Sequence, residues 1–138
     1  MKNFYTLLLI GVLITSCTVA PEKIEYGKDA CSFCDMTIVD KTHAAEFVTK
    51  KGRAYKFDAV ECLINDLNNK DENDLAFILV TDFLNPTVLI NANDATYLIS
   101  EQLKSPMGAN LSAFKNKEAI TYKGKTYNWK NIKKHISK

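Results

Sequence analysis

Soft sulfur donors are concentrated in one short segment of this 138-residue chain. Cys31, Cys34 and Met36 lie within six residues, and a distant methionine, Met107, stands between a proline and a glycine in a predicted turn. Thiolate and thioether ligands select Cu(I), whereas oxygen ligands suit Mg²⁺ and Ca²⁺. Side chains two apart in an extended segment share a face, so Cys34 and Met36 can reach one ion together. The sequence therefore predicts Cu(I) handling, with Met107 as a distant ligand and Cys31 as a further candidate.

A lone Cys-x-x-Cys pair also fits other sites. A structural disulfide is one, and a thioredoxin-like redox pair is another, although that site needs a strand before the motif and a helix opening at it. Here residues 37–39 favour extended chain instead. A zinc site needs four Cys or His ligands. The remaining candidates, at spacings that match no zinc ribbon or finger, are Cys62, His43 and His135.

These three residues have ordinary interpretations. Cys62 lies about 200° around the predicted helix from Val60, away from the apolar stripe, and we interpret it as a small buried hydrophobic residue. His43 begins a predicted strand, where hydrogen bonding and metal ligation are both open. The second histidine lies among lysines near the C-terminus, and we place it on the surface.

Residues 1–16 are predicted to be a lipoprotein signal peptide. Lys2 precedes an apolar run over residues 7–14, far shorter than the roughly 20 residues of a membrane-spanning helix. The segment ends in a branched apolar residue, two small residues and Cys17, the pattern of a bacterial lipobox; an ordinary cleaved signal is the alternative. We therefore expect lipidation at Cys17 and a polar tether over residues 17–28. The protein would be anchored to the inner or outer membrane of the cell envelope and face the periplasm.

Cysteine count and charge exclude some classes of protein. If the anchor uses one of the four cysteines, three remain, so at least one thiol is outside any internal disulfide. The formal net charge of +2 gives no basis for a nucleic-acid partner, which would need a clustered basic patch.

Hydrophobic patterning predicts a β-β-α-β order in the first half of the domain. Residues 43–49 and 54–57 read as a hairpin, and 75–80 as a buried strand. Between them Asp58 and Glu61 match a capping box at the start of a helix. The apolar stripe of that helix comprises Val60, Leu63, Ile64 and Leu67.

The pattern begins again after Pro86. Residues 87–90 and 95–99 are strand-like, and Asn128 is placed to cap a terminal helix. We predict an α+β fold of two small β-β-α-β-like units packed together, with mostly antiparallel sheet. The expected boundaries are 29–138 for the domain, with possible subunits 29–84 and 87–138.

Taken together, these motifs resemble one family, the accessory lipoproteins of nitrous oxide reductase (NosL-type). The resemblance extends from about residue 26 to residue 115, and it depends on the order and spacing of several motifs rather than on any one. The matching features are the lipobox cysteine Cys17, the Cys31-x-x-Cys34-x-Met36 motif, the strand-to-helix junction 55–58, and the loop 105–108 with the segment 111–114.

This resemblance implies an outward-facing lipoprotein that binds one Cu(I) ion and is not an enzyme. It implies delivery of copper to apo nitrous oxide reductase or another cuproenzyme, with a membrane ABC-type maturation complex as docking partner. It carries ligand roles over to Cys34, Met36 and Met107. The chain departs from the family at Asp35, where members usually have glycine. The alternatives are a lipid-anchored thiol–disulfide protein that uses Cys31 and Cys34, and an interaction module whose cysteines only staple the N-terminal segment.

Overall fold

The computed structural model describes residues 18–137. The predicted signal peptide and the predicted lipidation site Cys17 lie outside the described residues. Within them the chain forms two antiparallel sheets and two helices, so the predicted α+β fold of two small units is confirmed. Among the described helices, none has the length and apolar character needed to cross a bilayer.

The first sheet has the strand order β2-β1-β3-β4. Its hairpin pairs Phe47 with Tyr55, and β3 lies antiparallel on the other side of β1. The predicted β-β-α-β order is confirmed. A fourth strand follows Pro86 and pairs with β3, so this sheet continues past the point where the sequence pattern begins again. The elements are β1 (Ala45–Thr49), β2 (Ala54–Phe57), α1 (Val60–Leu67), β3 (Leu75–Thr81) and β4 (Leu89–Asn91).

The second sheet has the strand order β6-β5-β7 and is followed by a helix. A single 3-10 turn, Lys117–Ala119, stands between β6 and β7. Asn128 caps the terminal helix as predicted, because its side chain accepts a hydrogen bond from the backbone N–H of Asn131. The elements are β5 (Thr96–Ile99), β6 (Leu111–Phe114), β7 (Lys125–Tyr127) and α2 (Trp129–Ile136).

One hydrophobic core joins the two units, and α1 lies inside it. Because both sheets present apolar side chains to this helix, neither unit has a separate core of comparable size. A polar link adds to the contact: His43 Nε2 lies 3.0 Å from Ser112 Oγ, between the segment before β1 and strand β6. Core side chains from both units include Phe47, Phe57, Leu63, Ile64, Tyr97, Leu111 and Ile132.

Residues 18–28 do not form the free tether that their polarity suggests. Ile24 is buried, and the backbone N–H of Glu22 donates to Glu46 Oε1 at 2.7 Å. Lys56 Nζ, on β2, donates to the carbonyl of Lys23 at 2.8 Å. The segment therefore runs along the β1–β2 hairpin as part of the fold, since one apolar side chain and a pair of hydrogen bonds hold it there.

Candidate metal centre

Three free thiols converge at one end of the β1–β2 hairpin. The sulfur atoms of Cys31, Cys34 and Cys62 all lie within 4.8 Å of one another. Sulfurs that share an ion at about 2.3 Å, as in zinc–thiolate sites, lie within about 4.6 Å of each other. Cys31 and Cys62 are buried, and Cys34 is half-buried. The three sulfurs are therefore close enough together for one metal ion to bind with little rearrangement, and the ion would enter beside Cys34.

A tight turn sets the two cysteines of the motif. The backbone N–H of Cys31 donates to the carbonyl of Met36 at 2.8 Å, and that of Asp35 donates to the carbonyl of Cys31 at 3.0 Å. Asp35 has a φ of 61°, the left-handed conformation that aspartate tolerates better than most residues. Glycine, which the resemblance led us to expect at this position, adopts the same conformation freely, so Asp35 is compatible with the turn. The turn is fixed to β2 because Ser32 N–H donates to the carbonyl of Lys56 at 2.8 Å.

Cys62 completes the cluster from α1. The sequence interpretation placed it as an ordinary buried residue; it is fully buried, but its thiol contacts the other two cysteines rather than only apolar side chains. The position of Cys62 outside the apolar stripe of α1 was the sequence feature that could have indicated this role. The predicted capping box is wrong: Ala59 occupies the N-cap and no side chain caps the helix. Instead, the backbone N–H of Asp58 donates to the sulfur of Cys31.

The cluster is electrostatically asymmetric. A hydrogen bond from the Cys62 thiol, aided by the backbone N–H groups of Asp58 and Cys34, lowers the pKa of Cys31 to about 5 against the opposing effect of burial. The pKa of Cys62 is raised because its thiol donates to Cys31 and is buried. Burial is the main cause that raises the pKa of Cys34. At neutral pH the cluster therefore holds one thiolate and two thiols, a single negative charge that a monovalent cation neutralises.

The predicted ligands divide into two groups. Cys31 and Cys34 come together with Cys62, whereas the side chains of Met36 and Met107 are 52% and 39% exposed. Met36 adjoins the cluster through its backbone, whose N–H donates to the sulfur of Cys34. The structure thus brings together thiols in the interior and leaves two thioethers on the surface.

Buried polar contacts hold the turn that carries Met107. Gly108, at φ 81°, donates its N–H to the carbonyl of Ser105 at 3.0 Å. The hydroxyl of Ser105 donates to Glu61 Oε1, and it accepts the N–H of Leu111 at 3.3 Å. Glu61 directly precedes Cys62, and its pKa is raised by burial in spite of the Ser105 hydrogen bond. One buried carboxylate therefore connects the methionine turn to the helix of the third thiol.

In the described part of the chain, neither His43 nor His135 belongs to the thiol cluster. His43 Nδ1 lies 3.0 Å from Asp40 Oδ2, and Nε2 bonds Ser112, so both ring nitrogens have partners within the fold. His135 packs on the ring of Tyr127 with centroids 5.1 Å apart. The hydrogen-bonding interpretation of His43 accounts for its contacts.

Comparison with known proteins identifies a family and a structural relative. The family model described as NosL matches residues 23–137. The crystal structure of the copper chaperone NosL from Shewanella denitrificans aligns with a TM-score of 0.70 and 21% sequence identity, over 83% of this chain and 96% of that chain. At this identity the structural likeness shows a common fold. No curated protein matches.

Proposed function

The chain belongs to the NosL family, and from that premise we propose that it is a Cu(I) chaperone of the cell envelope. The observation that carries this proposal is the cluster of three thiols, Cys31, Cys34 and Cys62, within 4.8 Å of one another. Soft sulfur donors of this kind select Cu(I). The structural relative, the copper chaperone NosL from Shewanella denitrificans, shares the fold of this chain.

Charge favours a monovalent ion at this site. Burying an unneutralised charge is costly, and the lowered pKa of Cys31 gives the cluster one thiolate at neutral pH. That one thiolate already neutralises Cu⁺, whereas neutralising Zn²⁺ takes a second thiolate; each further thiol that coordinates the ion loses its proton on binding. The thiols would hold the ion, and the exposed thioethers of Met36 and Met107 would act as exchangeable ligands on the side open to a partner.

The same proposal covers delivery. The chain would act as a carrier rather than an enzyme, transferring copper for the copper centres of nitrous oxide reductase or a similar cuproenzyme, with a membrane ABC-type complex as docking partner. Family membership and the lipobox ending at Cys17 support this assignment. The diacylated Cys17 would hold the domain at the inner or outer membrane, facing the periplasm.

Anaerobic Cu(I) titration of the reduced protein against a chromophoric chelator tests the proposal. We expect one Cu(I) per chain. Loss of a residue that hydrogen-bonds a metal ligand weakens metal sites about 10–100-fold. Removal of a direct ligand in Cys31→Ala, Cys34→Ala or Cys62→Ala should weaken binding at least as much. Ile64→Val is the control on the same helix: it costs about 0.5–1.5 kcal/mol of stability and should leave affinity unchanged. Wild-type affinity in all three cysteine variants would overturn the proposal.

The lowered pKa of Cys31 also favours a second candidate, a thiol–disulfide protein. A thiolate beside a second cysteine is the reactive species in disulfide exchange. In either protein, air oxidation would form a Cys31–Cys34 disulfide, and in the chaperone this disulfide would remove two of the sulfur ligands and abolish Cu(I) binding. Catalysed exchange with a disulfide substrate, together with no Cu(I) uptake by reduced protein, would favour this candidate over the chaperone.

A further inference from the structure

The first described residues lie against the turn between β1 and β2. A Cβ placed on Gly52 would lie 3.9 Å from Cγ2 of Val19. From there the chain runs along the hairpin, where Glu22 and Lys23 are bonded to β1 and β2. Val19 therefore lies at the turn end of the hairpin rather than at the end that holds the thiols.

Covalent geometry limits the distance between this turn and the lipid anchor. Consecutive Cα atoms are about 3.8 Å apart, so the Cα of Cys17 lies within about 7.6 Å of the Cα of Val19. That distance is comparable to a Debye length of about 8–10 Å at moderate ionic strength. If Cys17 carries the lipid, the turn has almost no freedom to leave the membrane surface.

The turn carries the charge that such a surface attracts. Lys50, Lys51 and Arg53 are exposed, and among the described residues no carboxylate forms an ion pair with any of them. They line a cavity of about 420 Å³ bordered by a single acidic residue, Asp74. Three cations against one carboxylate leave an excess of two positive charges, and juxtamembrane basic groups are attracted to anionic leaflets.

The turn is rigid enough to present these charges together. Thr49 N–H donates to the carbonyl of Arg53 at 2.9 Å, and Thr49 Oγ1 accepts the N–H of Arg53 at 3.1 Å. Lys50 N–H donates to the carbonyl of Asp74 at 2.9 Å, which joins the turn to the start of β3. The Arg53 guanidinium lies 4.9 Å above the ring of Tyr55.

We propose that this basic turn, residues 50–53, is the membrane-contacting surface of the protein and that it binds anionic phospholipid headgroups beside the lipid anchor. The inference rests on the proposed anchoring through Cys17. It adds an orientation that the anchor alone does not give: two points of attachment, one covalent and one electrostatic, fix which end of the domain faces the bilayer.

The consequence for copper transfer follows from the course of β2. Cys31 accepts a hydrogen bond from the N–H of Asp58, directly after β2 ends at Phe57, whereas the basic turn directly precedes β2. At about 3.3 Å per residue, the chain from Gly52 to Asp58 spans about 20 Å. The thiol cluster is thus held at the opposite end of the strand, away from the headgroups and accessible to a soluble partner.

Lysine acylation of the lipidated, membrane-extracted protein tests this orientation. Reaction rates are measured by mass spectrometry in vesicles of phosphatidylcholine with phosphatidylglycerol, in pure phosphatidylcholine vesicles, and in detergent with inorganic phosphate. We expect Lys50 and Lys51 to react several-fold more slowly in the anionic vesicles than in the other two. The exposed Lys130 and Lys134 of α2 should react equally in all three.

A pair of variants with Lys51 as common reporter tests the role of charge. Protection of Lys51 in anionic vesicles should be lost in Lys50→Gln/Arg53→Gln and kept in the matched control Lys130→Gln/Lys134→Gln. Suppose that Lys50 and Lys51 each react as fast in anionic vesicles as in detergent while the protein still floats with the vesicles. That result would overturn the proposed orientation and leave the anchor intact. If inorganic phosphate in detergent slows the reaction of Lys50 and Lys51 equally, the turn binds free anions, and the proposed membrane orientation is overturned as well. Failure to float would overturn the anchor and the inference with it, without touching copper binding.

Discussion

Ser105 donates a hydrogen bond to the carboxylate of Glu61, and that bond joins the turn carrying Met107 to the helix carrying Cys62. Both partners are buried. Glu61 also borders the backbone N–H of Ala109, on the other side of Met107. Because one carboxylate contacts both flanks of the turn, the position of the thioether depends on the helix that supplies the third thiol.

The first prediction removes this connection with Ser105→Ala. The change leaves a buried carboxylate without its partner, which costs about 1–3 kcal/mol, and it frees the Met107 turn. We expect lower stability in urea denaturation and faster Cu(I) release to a chelator. Ser137→Ala is the matched control, because its hydroxyl bonds Asn68 on the exposed surface. If the two variants behave alike in both measurements, Glu61 does not position the turn.

The second prediction concerns Met107 itself. Met107→Leu keeps size and apolarity at a partly exposed position, and volume-conserving exchanges cost less than about 1.5 kcal/mol even in cores. We expect near-normal thermal stability of the apo protein, weakened Cu(I) affinity, and fewer sulfur neighbours of copper in X-ray absorption. Unchanged affinity with lost stability would assign Met107 a packing role and confine the site to the thiols.

Local pattern was enough to predict much of the fold. Alternation and helical spacing predict the β1–β2 hairpin, α1 and β3, because these features depend on residues near each other in sequence. The Cys31–Cys34 pair is predictable for the same reason. Asn128 as the cap of α2 is a further local feature that the structure confirms.

Features set by long-range packing were not predictable in this way. Cys62 meets the other thiols only because α1 packs beside the turn at residues 31–36, and spacing along the chain does not encode that approach. Asp58 matches a helix-capping pattern, yet its side chain does not cap α1, and its backbone N–H donates a hydrogen bond to the sulfur of Cys31. Gly124 is a further case, because a Cβ there would lie 2.2 Å from the carbonyl oxygen of Ile99, and this close approach to β5 is set by packing between distant segments.

The third prediction is that Cu(I) affinity rises with pH. Metal binding requires deprotonated thiols and releases their protons. Above the Cys31 pKa of about 5, one thiol is already ionised, while the raised pKa values of Cys34 and Cys62 keep two protons on the cluster. Coordination by three thiolates would therefore release two protons. The logarithm of affinity should rise by nearly two per pH unit near neutrality, measured by chelator competition; a slope of one or less would mean that fewer thiolates bind.

The fourth prediction uses a buried carboxylate distant in sequence from the thiols. Burial raises the pKa of Glu46 above its ordinary value of 4.5, so the folded state holds the proton more tightly than the unfolded state. Its stabilising contribution is complete below pH 4.5 and is lost as the pH rises through the folded-state pKa. Glu46→Gln keeps an acceptor for Glu22 N–H and cannot ionise.

Relative to wild type, Glu46→Gln should therefore gain stability on going from about pH 4 to about pH 7. Urea denaturation at the two pH values measures the change. Glu118→Gln, on the exposed 3-10 turn, serves as control and should follow wild type. A gain of equal size in the control would show that general charge, rather than burial at Glu46, sets the pH dependence.

The last prediction concerns the anchor, on which the orientation of the domain depends. One acyl chain binds membranes only marginally, and stable attachment takes at least two; a lipidated Cys17 would supply them on a single residue. Cys17→Ser should therefore abolish acylation and move the protein from the detergent phase to the aqueous phase of a cloud-point extraction.

Cys34→Ala is the control. This change removes a thiol from the copper cluster, and the variant should stay in the detergent phase as wild type does. Because the three clustered thiols, Cys31, Cys34 and Cys62, all lie within the described residues 18–137, Cu(I) affinity of the Cys17→Ser protein should equal that of wild type. Equal partitioning of wild type and Cys17→Ser would mean that the segment is an ordinary signal and that residues 50–53 have no anchor beside them.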